Sequence, residues 1–200
     1  SYYTPHELAM TVLRELKPTP DELFLDPSCG SGTFMTAAVE YLVREFPKMA
    51  SPEKLFSYVK NKLRGVDRDI NACQVAKAMV LAAVANQLDF DPSQRELVLP
   101  SLKNTVIHDD LFIFGPPERY DVIAGNLPLG HVDGKRKDSV LDPAIRKKMG
   151  PLNEYESFYR NVDISSIALE LIRELFLKRK GRLGLLVKQQ SLHGNDASKN

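Results

Sequence analysis

The chain has no tryptophan, only two cysteines and almost no net charge (+1 at pH 7). Each shortage excludes something. Cys29 and Cys73 are too few for a disulfide framework and stand in no metal-ligand spacing, so no metal site is expected. Free thiols fit a reducing, cytoplasmic setting. Near-neutral charge rules out a global basic field, so any contact with nucleic acid must come from local patches. No apolar run is long enough to span a bilayer, and no signal peptide opens the chain. Internal repeats and the dinucleotide fingerprint G-x-G-x-x-G are also missing. What is left, 200 residues with 43% hydrophobic content, suffices for one domain with a real core. The abrupt start at Ser1-Tyr2-Tyr3 and the polar stretch 195–200 read as the ends of an excerpt from a longer protein.

The rest of the chain is organised around 22–34, E-L-F-L-D-P-S-C-G-S-G-T-F. Leu23-Phe24-Leu25 reads as a buried strand, ended by Asp26-Pro27, because proline cannot donate to a ladder. Gly30 and Gly32 permit a tight turn, and a helix follows from Phe34 to about Phe46. Strand, glycine turn and helix make a cradle in which backbone N–H groups and a helix N-terminus face a ligand.

Upstream, Thr4-Pro5-His6-Glu7 reads as a helix start with Thr4 as its cap. Leu8, Met10, Val12, Leu13 and Leu16 form the apolar face, and Pro18 and Pro20 stop the helix. Downstream, a short helix is expected over Glu53 to Lys60 and a second strand over Leu63 to Val66. A helix follows over Asn71 to Gln87, capped by Asp69, with Val75, Met79, Ala82 and Ala83 inward. Further strands are expected at Thr105–Ile107, Tyr120–Ala124 and Arg182–Val187. A long helix from Asp163 to Lys180 precedes the last of them, with Lys178-Arg179-Lys180 at its negative end and Gly181 stopping it. Strands alternating with helices predict an α/β fold, a mostly parallel sheet covered on both faces. One rim of that sheet would collect Asp26, Gly30, Asp67, Asp109 and Asn126. An acid at the end of the second strand, here Asp67, is where such folds grip a ribose.

The spelling D-P-S-C-G-S-G-T-F resembles the first motif of the amino-group DNA methyltransferases that act on adenine N6, most of all the modification subunits of type I restriction systems and their type II relatives. The resemblance implies a Rossmann-like fold that uses S-adenosylmethionine. It assigns cofactor contacts to Asp26, Pro27, Ser28, Gly30, Gly32 and Thr33, and to Asp67 and Arg68 as the second motif. Asp109, with Asp110 and Leu111 beside it, takes the cofactor's adenine, and Asn126 closes the set. Y-Y-T-P also resembles the family's N-terminal cofactor motif, with Tyr3 and Thr4 at the contact positions. Phe112 and Phe114 read either as lining of the adenine slot or as core, and His108 as structural or exposed. The implied division is an N-terminal motif helix (1–18), a cofactor half (22–126) and a target-base half (127–194). The family's final strands have no counterpart in the short polar tail, so the sheet is expected to lack them or to receive them from elsewhere.

The catalytic position by resemblance is Asn126-Leu127-Pro128-Leu129, where the family spells Asn/Asp-Pro-Pro-Tyr/Phe. An exocyclic aromatic amine is a poor nucleophile because its lone pair is delocalised into the ring. The Asn side-chain oxygen and the carbonyl of the next residue accept its two N–H bonds, and the aromatic residue stacks on the flipped base. Leu127 in place of proline implies a looser loop that gains an N–H. Leu129 in place of the aromatic forgoes stacking worth ~1–3 kcal/mol. Lys135, Arg136, Lys137, Arg146, Lys147 and Lys148 follow this loop and read either as a DNA-backbone contact or as a solvated face. The implied partners are DNA and a separate specificity subunit or target recognition domain. Two other readings stay open: a catalytically degenerate cofactor- or DNA-binding subunit, and methylation of an RNA base or a protein glutamine.

Overall fold

The computed structural model describes residues 4–88, 101–127 and 164–187. In chain order these contain α1 (His6–Leu16), β1 (Phe24–Asp26), α2 (Thr33–Glu45), α3 (Pro52–Asn61), β2 (Leu63–Asp67) and α4 (Ile70–Gln87). Then come β3 (Val106–His108), β4 (Tyr120–Asn126), α5 (Ile164–Leu171), a π-helical turn (Ile172–Phe176) and β5 (Leu177–Leu186). The strands form one sheet in the order β3-β2-β1-β4-β5, and every described pairing is parallel. The expected α/β architecture with five strands is therefore what the chain builds. The strand order reverses at β1, which lies between β2 and β4. In such sheets a crevice opens at the carboxyl ends of the strands at this point.

Alternation along the strands supplies two cores. Phe24, Leu63 and Val122 face α1 to α4, while Leu25, Val66 and Ile123 face the layer that holds Leu171 and Phe176. Sheet and α1 meet closely at Gly184, where a β-carbon would lie 2.6 Å from Leu16 and from Val12. Arg182 secures the same corner: it donates to the Leu16 carbonyl (2.7 Å), at the end of α1, and pairs with Glu22 (2.7 Å). None of the described helices is long and apolar enough to cross a membrane.

Three local expectations are corrected. Thr4 does not cap α1. Pro5 holds that position, and its carbonyl accepts from Leu8 and Ala9 (3.1 and 3.3 Å). On α4 the buried residues are Cys73, Ala76, Val80 and Val84, while Val75 and Met79 are 48% and 49% exposed. Alanine and valine surround this helix, so its periodicity marks no face. Contact selects one instead: a β-carbon on Gly32 would sit 3.1 Å from the Ala76 Cα, which demands small residues there. Finally, the helical stretch before β5 stops at Phe176 rather than Lys180. Leu177 already pairs with Tyr120, and Lys178 is drawn to Asp121 (2.8 Å). The pairing then jumps to Val122 with Arg182, so Lys178 to Gly181 form a bulge and Gly181 stops no helix. Asp69 does cap α4 as expected, accepting from Asn71 and Ala72.

Candidate cofactor and acceptor site

The carboxyl ends of β1, β2, β3 and β4 meet around the turn 27–32. Gly30 and Gly32 both have positive φ (51° and 88°), a conformation that side chains strain to adopt. The turn is fixed from below. Cys29 N–H donates to the Val66 carbonyl (2.9 Å), and Gly32 N–H closes back on the Cys29 carbonyl (2.7 Å). β2 leaves room for this only because residue 65 is glycine: a β-carbon there would lie 2.9 Å from that of Cys29 and 2.4 Å from the Met35 sulfur. Thr33 opens α2, so the helix's positive end stands beside the turn.

Asp67, at the end of β2, ties the rim together. Its Oδ2 accepts from Gly30 N–H (2.8 Å) and its Oδ1 from Asp69 N–H (2.9 Å). Its own carbonyl accepts from Asp109 N–H (3.0 Å), which joins β2 to the loop after β3. A carboxylate has about four lone-pair sites, so two backbone bonds leave acceptor capacity for a ligand hydroxyl. Arg68 is exposed, and its carbonyl meets His108 Nε2 (3.0 Å), which gives that exposed histidine a structural partner. The two adjacent acids differ. Asp110 caps the next turn, accepting from Phe112 N–H (2.9 Å), while Asp109 Oδ1 accepts only the neighbouring Asp110 N–H (2.8 Å) among the described contacts. Leu111 and Phe112 are buried, and Phe114 packs edge-on against Phe176 (5.7 Å between centroids), so these side chains contribute to the core.

Asp26 ends β1 at 1% exposure. Its carboxyl accepts from Ser28 N–H at a long 3.3 Å. Burial pushes it up from 3.8 to about 8; the Ser28 bond opposes this and the Asp67 charge reinforces it. The Cys29 thiol is also pushed up, by burial and then by the Asp26 and Asp67 charges, which makes it inert as a nucleophile. Among the described residues no group of three or more His, Cys, Asp or Glu could hold a metal ion.

Asn126 ends β4 beside this turn. Its carbonyl accepts from Ser28 Oγ at 2.6 Å. The next N–H, that of Leu127, donates to the Leu186 carbonyl on β5 (3.1 Å), and the Leu127 side chain is buried at 1% exposure. The N–H that Leu127 adds prolongs the β4–β5 ladder, and its side chain joins the core. Pro27 is buried against the same strand. A β-carbon on Gly125 would lie 3.0 Å from the Pro27 ring and 2.5 Å from Asp26 Oδ1. Neither the Gly125 contact nor the Ser28–Asn126 bond was foreseen from sequence. A glycine inside a strand just ahead of Asn126 is the signal for the first; the second leaves no trace in composition or spacing. Thr4 is half-buried at the foot of α1. Tyr3, Pro128, Leu129 and the basic positions Lys135, Arg136, Lys137, Arg146, Lys147 and Lys148 lie outside the described residues.

Known proteins resemble this arrangement. The chain is 30% identical over 108 residues to the type I restriction enzyme StySPI methylase subunit of Salmonella potsdam, covering 54% of this chain and 16% of that relative. The solved EcoKI M protein, a type I restriction enzyme component, superposes with a TM-score of 0.52 at 18% identity, over 67% of this chain and 26% of that one. A nuclease-deletion mutant of the type ISP restriction-modification enzyme LlaGI, solved with a DNA substrate mimic, gives 0.62 at 17% identity, over 92% and 18%. At such identities the two structures speak for the fold alone. The chain spans about a sixth of the length of the curated methylase subunit. Sequence carries the affiliation further: the family model described as N-6 DNA methylase matches residues 1–199, through every strand, the glycine turn and the Asn126 loop. The chain belongs to the N-6 DNA methylase family.

Proposed function

We propose that this chain is the catalytic segment of an S-adenosylmethionine-dependent DNA methyltransferase that modifies adenine N6 within a restriction–modification protein. One observation carries the reading. The Ser28–Asn126 bond sets the loop that presents the amine acceptors directly against the glycine turn at the point where strand order reverses.

The residues present fit the cofactor. S-adenosylmethionine carries a cationic sulfonium, and when bound it supplies an electrophilic methyl group. The rim offers it the Asp67 and Asp109 carboxylates, which would repel a DNA phosphate but attract a cation, with the buried Asp26 carboxyl holding its proton behind them. Gly30 leaves open space where a side chain would stand. In this reading Asp67 takes the ribose hydroxyls and Asp109 the adenine amine. Asp110 and Leu111 hold the turn and core behind them, while Arg68 stays at the exposed edge. Tyr3 and Thr4 cover the methionine end.

The chemistry then rests on Asn126. Its side-chain oxygen and the Leu127 carbonyl accept the two N–H bonds of the target amine, concentrating its lone pair toward the methyl group. Transfer is direct, so neither cysteine is needed. The basic runs 135–137 and 146–148 would carry the DNA backbone, and target choice would belong to a specificity subunit or a separate recognition domain.

A second reading, a cofactor-binding subunit without activity, draws on Leu129, where the stacking aromatic is missing. A labelled methyl-transfer assay of the protein against DNA, RNA and protein separates the possibilities, with calorimetry for S-adenosylmethionine alongside. Label on adenine N6 of DNA is expected. Label on RNA or protein alone overturns the proposal, cofactor binding without transfer favours the second reading, and no cofactor binding defeats both.

A further inference from the structure

The Asn126–Leu127 peptide plane is tied along both edges. Its carbonyl is held by Ser28 Oγ (2.6 Å), from the turn after β1, and its N–H by the Leu186 carbonyl (3.1 Å), from β5. The β5 tie is an ordinary ladder bond. The Ser28 tie is different, because it spans 98 positions of sequence and comes from the turn that faces the cofactor. A serine hydroxyl has one proton to donate, and here it goes to Asn126. Ser28 could therefore only accept from a cofactor, while its donor side is committed to the acceptor loop. Its own N–H is anchored to Asp26 Oδ1 (3.3 Å), so its backbone is fixed to the end of β1 and only the hydroxyl reaches across the crevice. The torsions on either side of the clamped peptide aim the Asn126 side chain and the Leu127 carbonyl, the two groups that must meet the amine.

We propose that Ser28 is a positioning residue, which makes the geometry of the acceptor loop depend on the state of the glycine turn. The proposal deepens the methyltransferase reading and rests on it for its catalytic readout. When the turn closes on cofactor, one short hydrogen bond transmits that ordering to the peptide between Asn126 and Leu127. Binding of a methyl donor at the turn would then tighten the alignment of the acceptors.

The test compares wild type, Ser28→Ala and Ser28→Thr in the intact protein. It measures S-adenosylmethionine Kd by calorimetry, kcat and KM by labelled transfer, and exchange of the Leu127 amide by NMR with and without cofactor. For Ser28→Ala we expect Kd within about twofold of wild type and kcat lower by about tenfold, the equivalent of one lost hydrogen bond. In wild type, cofactor should slow Leu127 exchange; in Ser28→Ala it should not, and Ser28→Thr should restore both kcat and protection. A weakened Kd with saturating kcat unchanged would make Ser28 an ordinary cofactor ligand and overturn the proposal. Equal cofactor-induced protection in wild type and Ser28→Ala would overturn it as well. If wild type transfers no methyl group, the functional reading fails on its own, and the exchange comparison still decides whether turn and loop are coupled. Should Ser28→Ala not fold, Ser28→Cys, near in shape but a weak donor, takes its place with the same expected outcomes.

Discussion

Asp26→Asn separates the electrostatic cost of the rim from its shape. The Asp26 carboxyl is buried, and the charge that acts on it is the Asp67 carboxylate, which offers it no compensation, while the neighbouring Cys29 thiol stays neutral. Its ordinary value of 3.8 is raised to about 8 in the fold. A raised value means that the folded state holds the proton more tightly than the unfolded state. The stabilisation is complete below about pH 4, falls as pH rises, and is gone above about pH 8. The distance between the two values bounds the effect at about 6 kcal/mol, and water drawn toward the ionised carboxylate reduces it, so we expect about 2–4 kcal/mol. Glu22 and Asp121 act in the opposite sense. Burial raises both, but the Arg182 and Lys178 bonds, together with the backbone bonds from Thr19 and Leu23 and the attraction of the nearby cations, outweigh it and hold them below their ordinary values. Their contribution is lost only as pH falls below about 4.5. The proper readout is therefore the difference between wild type and Asp26→Asn in urea unfolding of cofactor-free protein from pH 5 to 9. The wild type should lose stability relative to the variant by about 2–4 kcal/mol across that window. A difference curve flat to within about 0.5 kcal/mol would refute the reasoning, for the carboxyl would then titrate as an exposed one.

Gly125→Ala forces a β-carbon into Asp26 Oδ1 and Pro27, and should cost about 1–3 kcal/mol, read as a Tm lower by roughly 2–4 °C per kcal/mol; an unchanged Tm would contradict the close approach. Leu127→Pro, although it restores the family spelling, removes the N–H that meets Leu186 and empties part of a core position. It should destabilise by about 2–4 kcal/mol and leave methyl transfer no higher, so a stable, more active variant would show that the ladder bond is dispensable. Leu129→Tyr should raise kcat/KM for duplex DNA by about 5- to 100-fold, the worth of one stacked base, with the S-adenosylmethionine Kd unchanged; no gain would remove the stacking argument.

The sheet was legible in the chain because each strand candidate is short, apolar and punctuated: Leu23–Leu25 by Asp26-Pro27, the run ending at Val66 by Asp67. The rim acids were legible for the same reason, since an acid directly after a buried strand has to lie at its carboxyl end. α4 failed where the code is degenerate. A helix apolar on all sides has no preferred face until something packs on it, and the Gly32–Ala76 contact is set by tertiary structure. The end of the helical stretch before β5 failed for a related reason. Lys178-Arg179-Lys180 suits a helix C-terminus, but Tyr120 and Asp121 on a strand more than fifty residues away claim Leu177 and Lys178 first. Local preference lost to pairing in both places.

The same distinction changes what Leu127 means. By spelling alone it weakens the acceptor loop, because a proline ring fixes φ and leucine does not. In the fold, rigidity at this point comes from the sheet. Leu127 N–H adds a rung between β4 and β5 that no proline could supply, its side chain fills the core beneath, and Ser28 holds the preceding carbonyl. The peptide between Asn126 and Leu127, which precedes both acceptors of the proposed chemistry, is thus held by different means from those of the family's usual spelling. What Leu129 forgoes is of another kind: stacking of ~1–3 kcal/mol on an extruded base, a capture term rather than an acceptor. The two leucines, alike as departures from one motif, therefore fall on separate steps. The first gains a ladder bond and a core position within the described fold, and in the proposed chemistry the second would bear on how long a flipped adenine stays.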